Sequence, residues 1–161
     1  FWLGAASASS GERNAQAHIP WSNGQIYWDT AGCCDGRTTR ITRAWDGGLG
    51  EWHHFVFLKD GDRKAIYIDE ELFHEANNRA WLKADWSVAA IGSNNAGGTT
   101  VAAAGDEFAV FASALTEEEI LRLKLFVKAP SPLRSAGAPQ RVLHVGQSFS
   151  LNSIQCSALS P

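Results

Sequence analysis

The residues of this chain best placed to do chemistry are its neighbouring carboxylates, its histidine pair and its tryptophans. Asp69-Glu70-Glu71 and Asp106-Glu107 are acidic neighbours. Adjacent strand residues point to opposite faces, so such pairs read as solvated edges or turn anchors rather than as carboxylates sharing one site. His53 and His54 are also adjacent, and on a strand they cannot readily hold one metal; one packed and one exposed imidazole is the simpler reading. Asp29, the histidines and several serines could compose a hydrolytic triad, but the Gly-x-Ser-x-Gly elbow that presents the nucleophile is missing. A glycine-rich phosphate loop with lysine is missing as well. Cys33, Cys34 and Cys156 lack the spacing of a zinc site and read as small buried thiols. A bridge between neighbours would close a strained ring, while one from Cys33 or Cys34 to Cys156 stays open.

Binding chemistry is better supplied. The chain holds seven tryptophans in 161 residues, and sugar rings stack on indole faces. A sugar site also needs concavity and a few polar groups for the hydroxyls. Trp52 lies on a strand that is apolar on both faces and reads as core, and Trp28 is as much core as surface. Trp21, Trp45, Trp81 and Trp86 lie in or beside loops and are the candidate platforms, with Asn94 and Asn95 as candidate hydroxyl partners. A lone tryptophan is more often packed than exposed, so one of the four is expected to be a true contact.

These residues need elements to position them. In Trp52–Leu58, Trp52, His54, Val56 and Leu58 share one face, while His53, Phe55 and Phe57 share the other. Asp60-Gly61-Asp62 is turn chemistry, and Ala65 to Asp69 returns as the second strand of a hairpin. A strand apolar on both faces belongs inside a covered sheet. Further strands are expected at 25–28, 40–43, 72–75, 88–91 and 107–111, the last starting late because Ala103-Ala104-Gly105 precedes it. Residues 4–16, rich in Gly, Ala and Ser, read as a loop or lead-in. One helix is specified from Glu117. Thr116 and Glu119 have capping-box spacing, and Leu115 and Ile120 have that of a hydrophobic staple. Pro130 and Pro132 stop it.

The ordered set of motifs resembles the laminin G-like members of the concanavalin A-like jelly rolls, in a bacterial form. The resemblance rests on Pro20-Trp21-Ser22-Asn23-Gly24-Gln25-Ile26-Tyr27-Trp28-Asp29, the Trp-His strand with its Asp-Gly turn and Tyr67-Ile68-Asp69, and Ile91-Gly92-Ser93. Asp106-Glu107-Phe108-Ala109-Val110-Phe111 and Ala114-Leu115-Thr116-Glu117-Glu118-Glu119-Ile120 complete it, so that it covers about residues 18–125. Glu70 and Glu71 stand where the family pattern has Asp-Gly, and the first strands must come from the first seventeen or so residues. The resemblance implies an all-β, two-sheet antiparallel sandwich with one short C-terminal helix. It also implies binding of glycans or cell-surface polysaccharide, with calcium as the cofactor and Asp106 as the ligand that matches. Glucanases of the same class carry Glu-x-Asp-x-x-Glu on one strand, a spacing that none of the glutamates here begins.

Residues 1–127 are therefore read as the sandwich domain, 128–140 as a Pro-rich connector, and 141–161 as a tail or extra strand packing on the sandwich. Val142, His144, Phe149 and Leu151 alternate as a half-buried strand would. A net charge of −3 without a Lys/Arg run disfavours nucleic acid and anionic membrane as partners. No apolar run reaches the length of a membrane span. The start at Phe1 and the absence of Met read as a piece of a longer protein. The expected function is a non-catalytic carbohydrate-binding or adhesion module of a secreted or surface protein. A structural or protein-interaction module is the alternative, and a divergent glycosidase a remote third.

Overall fold

The computed structural model describes residues 1–5, 12–48, 50–82, 86–94, 100–126 and 151–158, with the backbone alone for 124–126 and 151–158. Its strands are β1 (Trp2–Gly4), β2 (Ala15–His18), β3 (Gln25–Thr30), β4 (Arg40–Ala44), β5 (Trp52–Asp60), β6 (Arg63–Ile68), β7 (Glu71–Asn77), β8 (Val88–Ala90), β9 (Ala103–Val110) and β10 (Leu151–Ala158). The helix α1 is Glu117–Phe126. One sheet has the order β4-β3-β2-β1-β8 and the other β7-β6-β5-β10-β9. Every pairing between these strands is antiparallel, and the fold is a two-sheet β-sandwich.

Alternation along the strands builds the core. Leu3, Ala15, Ala17, Ile26, Trp28 and Ile41 of the first sheet meet Phe55, Phe57, Ile66 and Ile68 of the second. The other face of β5 and β6, with Val56, Leu58, Ala65 and Tyr67, is covered by Ile120 of α1, with Ala114 and Leu115 beside it. That second layer explains why β5 is apolar on both faces. The helix start is the expected one: the Glu119 amide donates to Thr116 Oγ1 at 3.2 Å, and the Thr116 amide donates to Glu119 Oε2 at 2.8 Å.

Buried polar groups tie the two sheets together. The Trp28 indole donates to the Leu58 carbonyl across the core at 3.1 Å. Lys64, fully buried on β6, donates to the carbonyls of Trp28 (3.2 Å) and Thr39 (2.6 Å). On β3, Asp29 is completely buried and accepts from Arg40 at 2.6 Å through both carboxylate oxygens and from Arg13 at 3.2 Å. A buried carboxylate held by two guanidinium groups has the hydrogen bonds its burial requires. Asp29 is thereby committed to the fold and has no place in a hydrolytic triad.

Four expectations change. Gly4, Ala15 and Gln16, at the two ends of the stretch 4–16 read as loop or lead-in, belong to strands β1 and β2, because Leu3, Ala15 and Ala17 fill the core face of the first sheet. β9 starts at Ala103 rather than late, because pairing with β10 extends it through Ala103 and Ala104. Cys33 and Cys34 are not buried thiols: they lie in the partly exposed turn after β3. Trp52 is half-buried rather than core. The strand expected over 141–151 lies outside the described residues except for Leu151, where β10 begins.

Candidate functional site: a cleft at one end of the sandwich

The β2–β3 connection is built by Pro20-Trp21-Ser22-Asn23-Gly24. The Gly24 amide donates to the Trp21 carbonyl at 2.8 Å, and the Trp21 amide donates to the Gln25 carbonyl at 2.8 Å. Gly24 has a φ of +75°, which glycine adopts at little cost. Asn23 locks the turn, accepting from the Gln25 amide at 3.1 Å and donating to the Tyr27 hydroxyl at 2.7 Å. This turn holds Trp21 at the surface, 40% exposed, with its ring edge-on to His18 at 4.6 Å. Burial beside Trp21 and Tyr27 pushes the His18 imidazole down to about 4, so the ring is neutral near pH 7.

Trp21 and His18 stand at the mouth of a cleft of about 1120 Å³. The loop after β4 supplies Trp45, Gly48 and Glu51, and the segment after β8 supplies Ile91, Ser93 and Asn94. Ala103, Ala104, Gly105 and Asp106 of β9 form the opposite wall, and Phe1, Phe55 and Phe108 line the interior. Trp45 is wedged edge-on to His53 at 5.1 Å and to Phe55 at 5.4 Å. A Cβ on Gly47 would collide with its indole. On its other side Trp45 borders a smaller groove of about 600 Å³, with Arg43, Asp69, Glu71 and Phe73.

Of the residues singled out in the sequence, Trp21, Trp45, Asn94 and Asp106 meet in this one cleft. Trp81 does not: it stands 87% exposed after β7, away from the cleft lining. Trp86 packs instead against the core between the sheets. Asn95 lies outside the described residues. Sequence reasoning passed over His18 and Glu51 at the rim. The available signal for His18 was its place two residues before the Pro20-Trp21 turn.

Asp106, matched to calcium in the sequence, lies in the cleft wall. The ion takes six or more oxygens. One Asp106 oxygen already accepts the Glu107 amide at 2.9 Å, at a bulge where Glu107 has a φ of +53°. Among the described residues no three His, Cys, Asp or Glu side chains gather around a common point.

The histidine pair has a structural task. Asp69 and Glu70 form the two-residue β6–β7 loop, with φ of +51° and +69°. Positive φ at both loop positions is the type I′ pattern, usually filled by Asn-Gly. Glu70 adopts it without being glycine, and the carboxylates of both loop residues are held by β5. Asp69 contacts His53 Nδ1 at 2.8 Å and accepts the His54 amide at 2.9 Å, and Glu70 contacts His54 Nδ1 at 3.0 Å.

The architecture and the cleft define a β-sandwich of the lectin-like class. Residues 3–121 match the family model described as the concanavalin A-like lectin/glucanases superfamily, and the chain belongs to that laminin G-type family. No curated protein and no solved structure gives a significant match to the chain.

Proposed function

We propose that the chain is a non-catalytic carbohydrate-binding module of a secreted or surface protein, and that it takes its glycan in the cleft between Trp21 and Asp106. One observation carries this reading: three residues chosen from sequence for sugar contact, Trp21, Trp45 and Asn94, line one cleft together with Asp106, with a half-exposed indole at its mouth. Trp21 supplies the stacking face, neutral His18 and Asn94 exchange hydrogen bonds with hydroxyls, and the Asp106 carboxylate accepts them. Asp106 is assigned to the cleft wall rather than to a metal. Membership of the superfamily fits binding or adhesion, and the fold alone does not fix the ligand. Among the described residues no helix is long and apolar enough to cross a membrane.

The non-catalytic assignment rests on the carboxylates. Asp69 and Glu70 hold a turn, Asp29 holds two arginines, and Asp106 caps a neighbouring amide. A retaining glycosidase needs two carboxyl groups about 5–5.5 Å apart across the scissile bond. The test is a glycan array paired with a reducing-sugar assay. The expected result is retention of a defined glycan set with no sugar released. Sugar release that disappears in Glu51→Gln or Asp106→Asn would overturn the non-catalytic assignment.

A further inference from the structure

The cleft is rich in hydrogen-bond acceptors and poor in positive charge. Two carboxylates belong to its lining, Glu51 from the loop after β4 and Asp106 from β9. Among the described residues Glu51 makes no hydrogen bond or ion pair. Asp106 gives one oxygen to the Glu107 amide, and its other oxygen has no partner among the described residues. A third acceptor is buried. Gln16 of β2 also lines the cleft, on the strand face that it shares with His18. It is 6% exposed, and its side-chain carbonyl oxygen has no hydrogen-bond partner. Leaving a buried acceptor unpaired is costly, so this atom calls for a donor that the chain does not supply.

No lysine or arginine stands among the described lining residues to answer these acceptors. The two histidines of the lining do not answer them either. His53 has its nitrogens on the Asp69 carboxylate and the Gly48 carbonyl, and burial keeps His18 neutral near pH 7. The Phe1 amino group is turned to the Ala17 carbonyl at 3.1 Å.

We propose, resting on the glycan reading of this cleft, that its ligand is a glycan bearing free amino groups, a non-acetylated hexosamine chain. Its ammonium groups donate to Gln16, Glu51 and Asp106 while a sugar ring stacks on Trp21. An ammonium offers three donors and no acceptor, the complement of this lining. A hydroxyl brings one donor together with an acceptor and leaves the carboxylate charge unanswered. N-acetylation removes the charge and leaves the nitrogen a single donor, yet keeps the ring face for Trp21. A uronate or sulfate would meet Glu51 and Asp106 as like charges, which rejects acidic glycans.

The test titrates the chain by calorimetry with glucosamine oligomers, the same oligomers N-acetylated, and polygalacturonate. Mildly acid buffer, above the His18 titration at about 4, keeps that ring neutral and the sugar amines charged. The free amines should bind at least about tenfold tighter than the acetylated oligomers, less so as salt is raised, and polygalacturonate should not bind. Glu51→Gln combined with Asp106→Asn should erase the preference. Gln16→Met, which removes the buried acceptor at similar volume, should weaken the amines by about tenfold, and Trp21→Ala should weaken them too. Equal or tighter binding of the acetylated oligomers, or binding of only some other glycan, would overturn amine selection and leave the glycan reading standing. Amine binding that survives Trp21→Ala, or a preference that survives loss of both carboxylates, would overturn it as well. Failure to bind any glycan would overturn the glycan reading and this proposal with it. Should a variant fail to fold, the wild-type ranking of free against acetylated amines decides alone.

Discussion

His53 Nδ1 lies 2.8 Å from Oδ2 of Asp69, and the ring's other nitrogen lies 3.1 Å from the Gly48 carbonyl. One imidazole thereby joins the β6–β7 turn to the loop that carries Trp45 toward the cleft. The same Asp69 carboxylate accepts the His54 amide. Removing it leaves a ring nitrogen and a strand-start amide short of a partner. Asp69→Ala should lower stability by about 1–2 kcal/mol, and Asp69→Asn by less, since asparagine tolerates the left-handed backbone and keeps an acceptor. Urea melts would check this. No loss in Asp69→Asn would mean that the carboxylate contributes nothing beyond the turn itself, and no loss in either variant would refute the account.

Lys64 sets a pH dependence. Burial lowers its ammonium to about 7 from the ordinary 10.5. The folded chain therefore gives up this proton before the unfolded chain does. Below about pH 7 both states hold it and the burial penalty is fully present. Between about pH 7 and 10.5 the unfolded state binds more protons, so this group makes stability rise with pH, by up to about 1.4 kcal/mol per pH unit. Lys64→Met should flatten that rise in denaturant midpoints measured from pH 7 to 10. A variant and parent that change in parallel would refute the assignment.

Gly47 gives a test of how Trp45 is placed. A side chain there meets the indole, and the indole is wedged against His53 and Phe55. Gly47→Ala should cost about 1–3 kcal/mol through overpacking and shift the tryptophan fluorescence. Wild-type stability and an unchanged spectrum would show that the loop yields freely.

The hairpin of β5 and β6 was legible in sequence because it is long, apolar on both faces and closed by Gly61, which takes a φ of +51°. The capped helix was legible because Thr116 and Glu119 act locally. β1 and β2 were not. Their core residues include Ala15 and Ala17, whose small side chains carry no strand signal, and β1 is three residues long. The start of β9 at Ala103 is set by pairing with β10, distant in sequence. At the site, Trp21 could be read from the turn that displays it. The difference between Trp81, exposed, and Trp86, packed on the core, is a tertiary outcome that local spacing does not encode.

Asp106 permits a clean decision on calcium. A ligand that binds only the folded chain at a hundredfold excess over its Kd would add about 2.7 kcal/mol. With Asp106 in a wall role, thermal melts with calcium and with chelator should coincide. A calcium-dependent gain that Asp106→Asn abolishes would return the residue to a metal site.

The central claim is that glycan is held at Trp21 and not merely at any exposed indole. Retention on the polysaccharide identified by array should be compared for the wild type, Trp21→Ala and Trp81→Ala by affinity electrophoresis. Loss of a central aromatic contact costs on the order of 2 kcal/mol, so Trp21→Ala should weaken retention by about tenfold or more while Trp81→Ala, outside the cleft, leaves it unchanged. Retention lost with Trp81 and kept without Trp21, or no retention by the wild type on any glycan, would contradict the account.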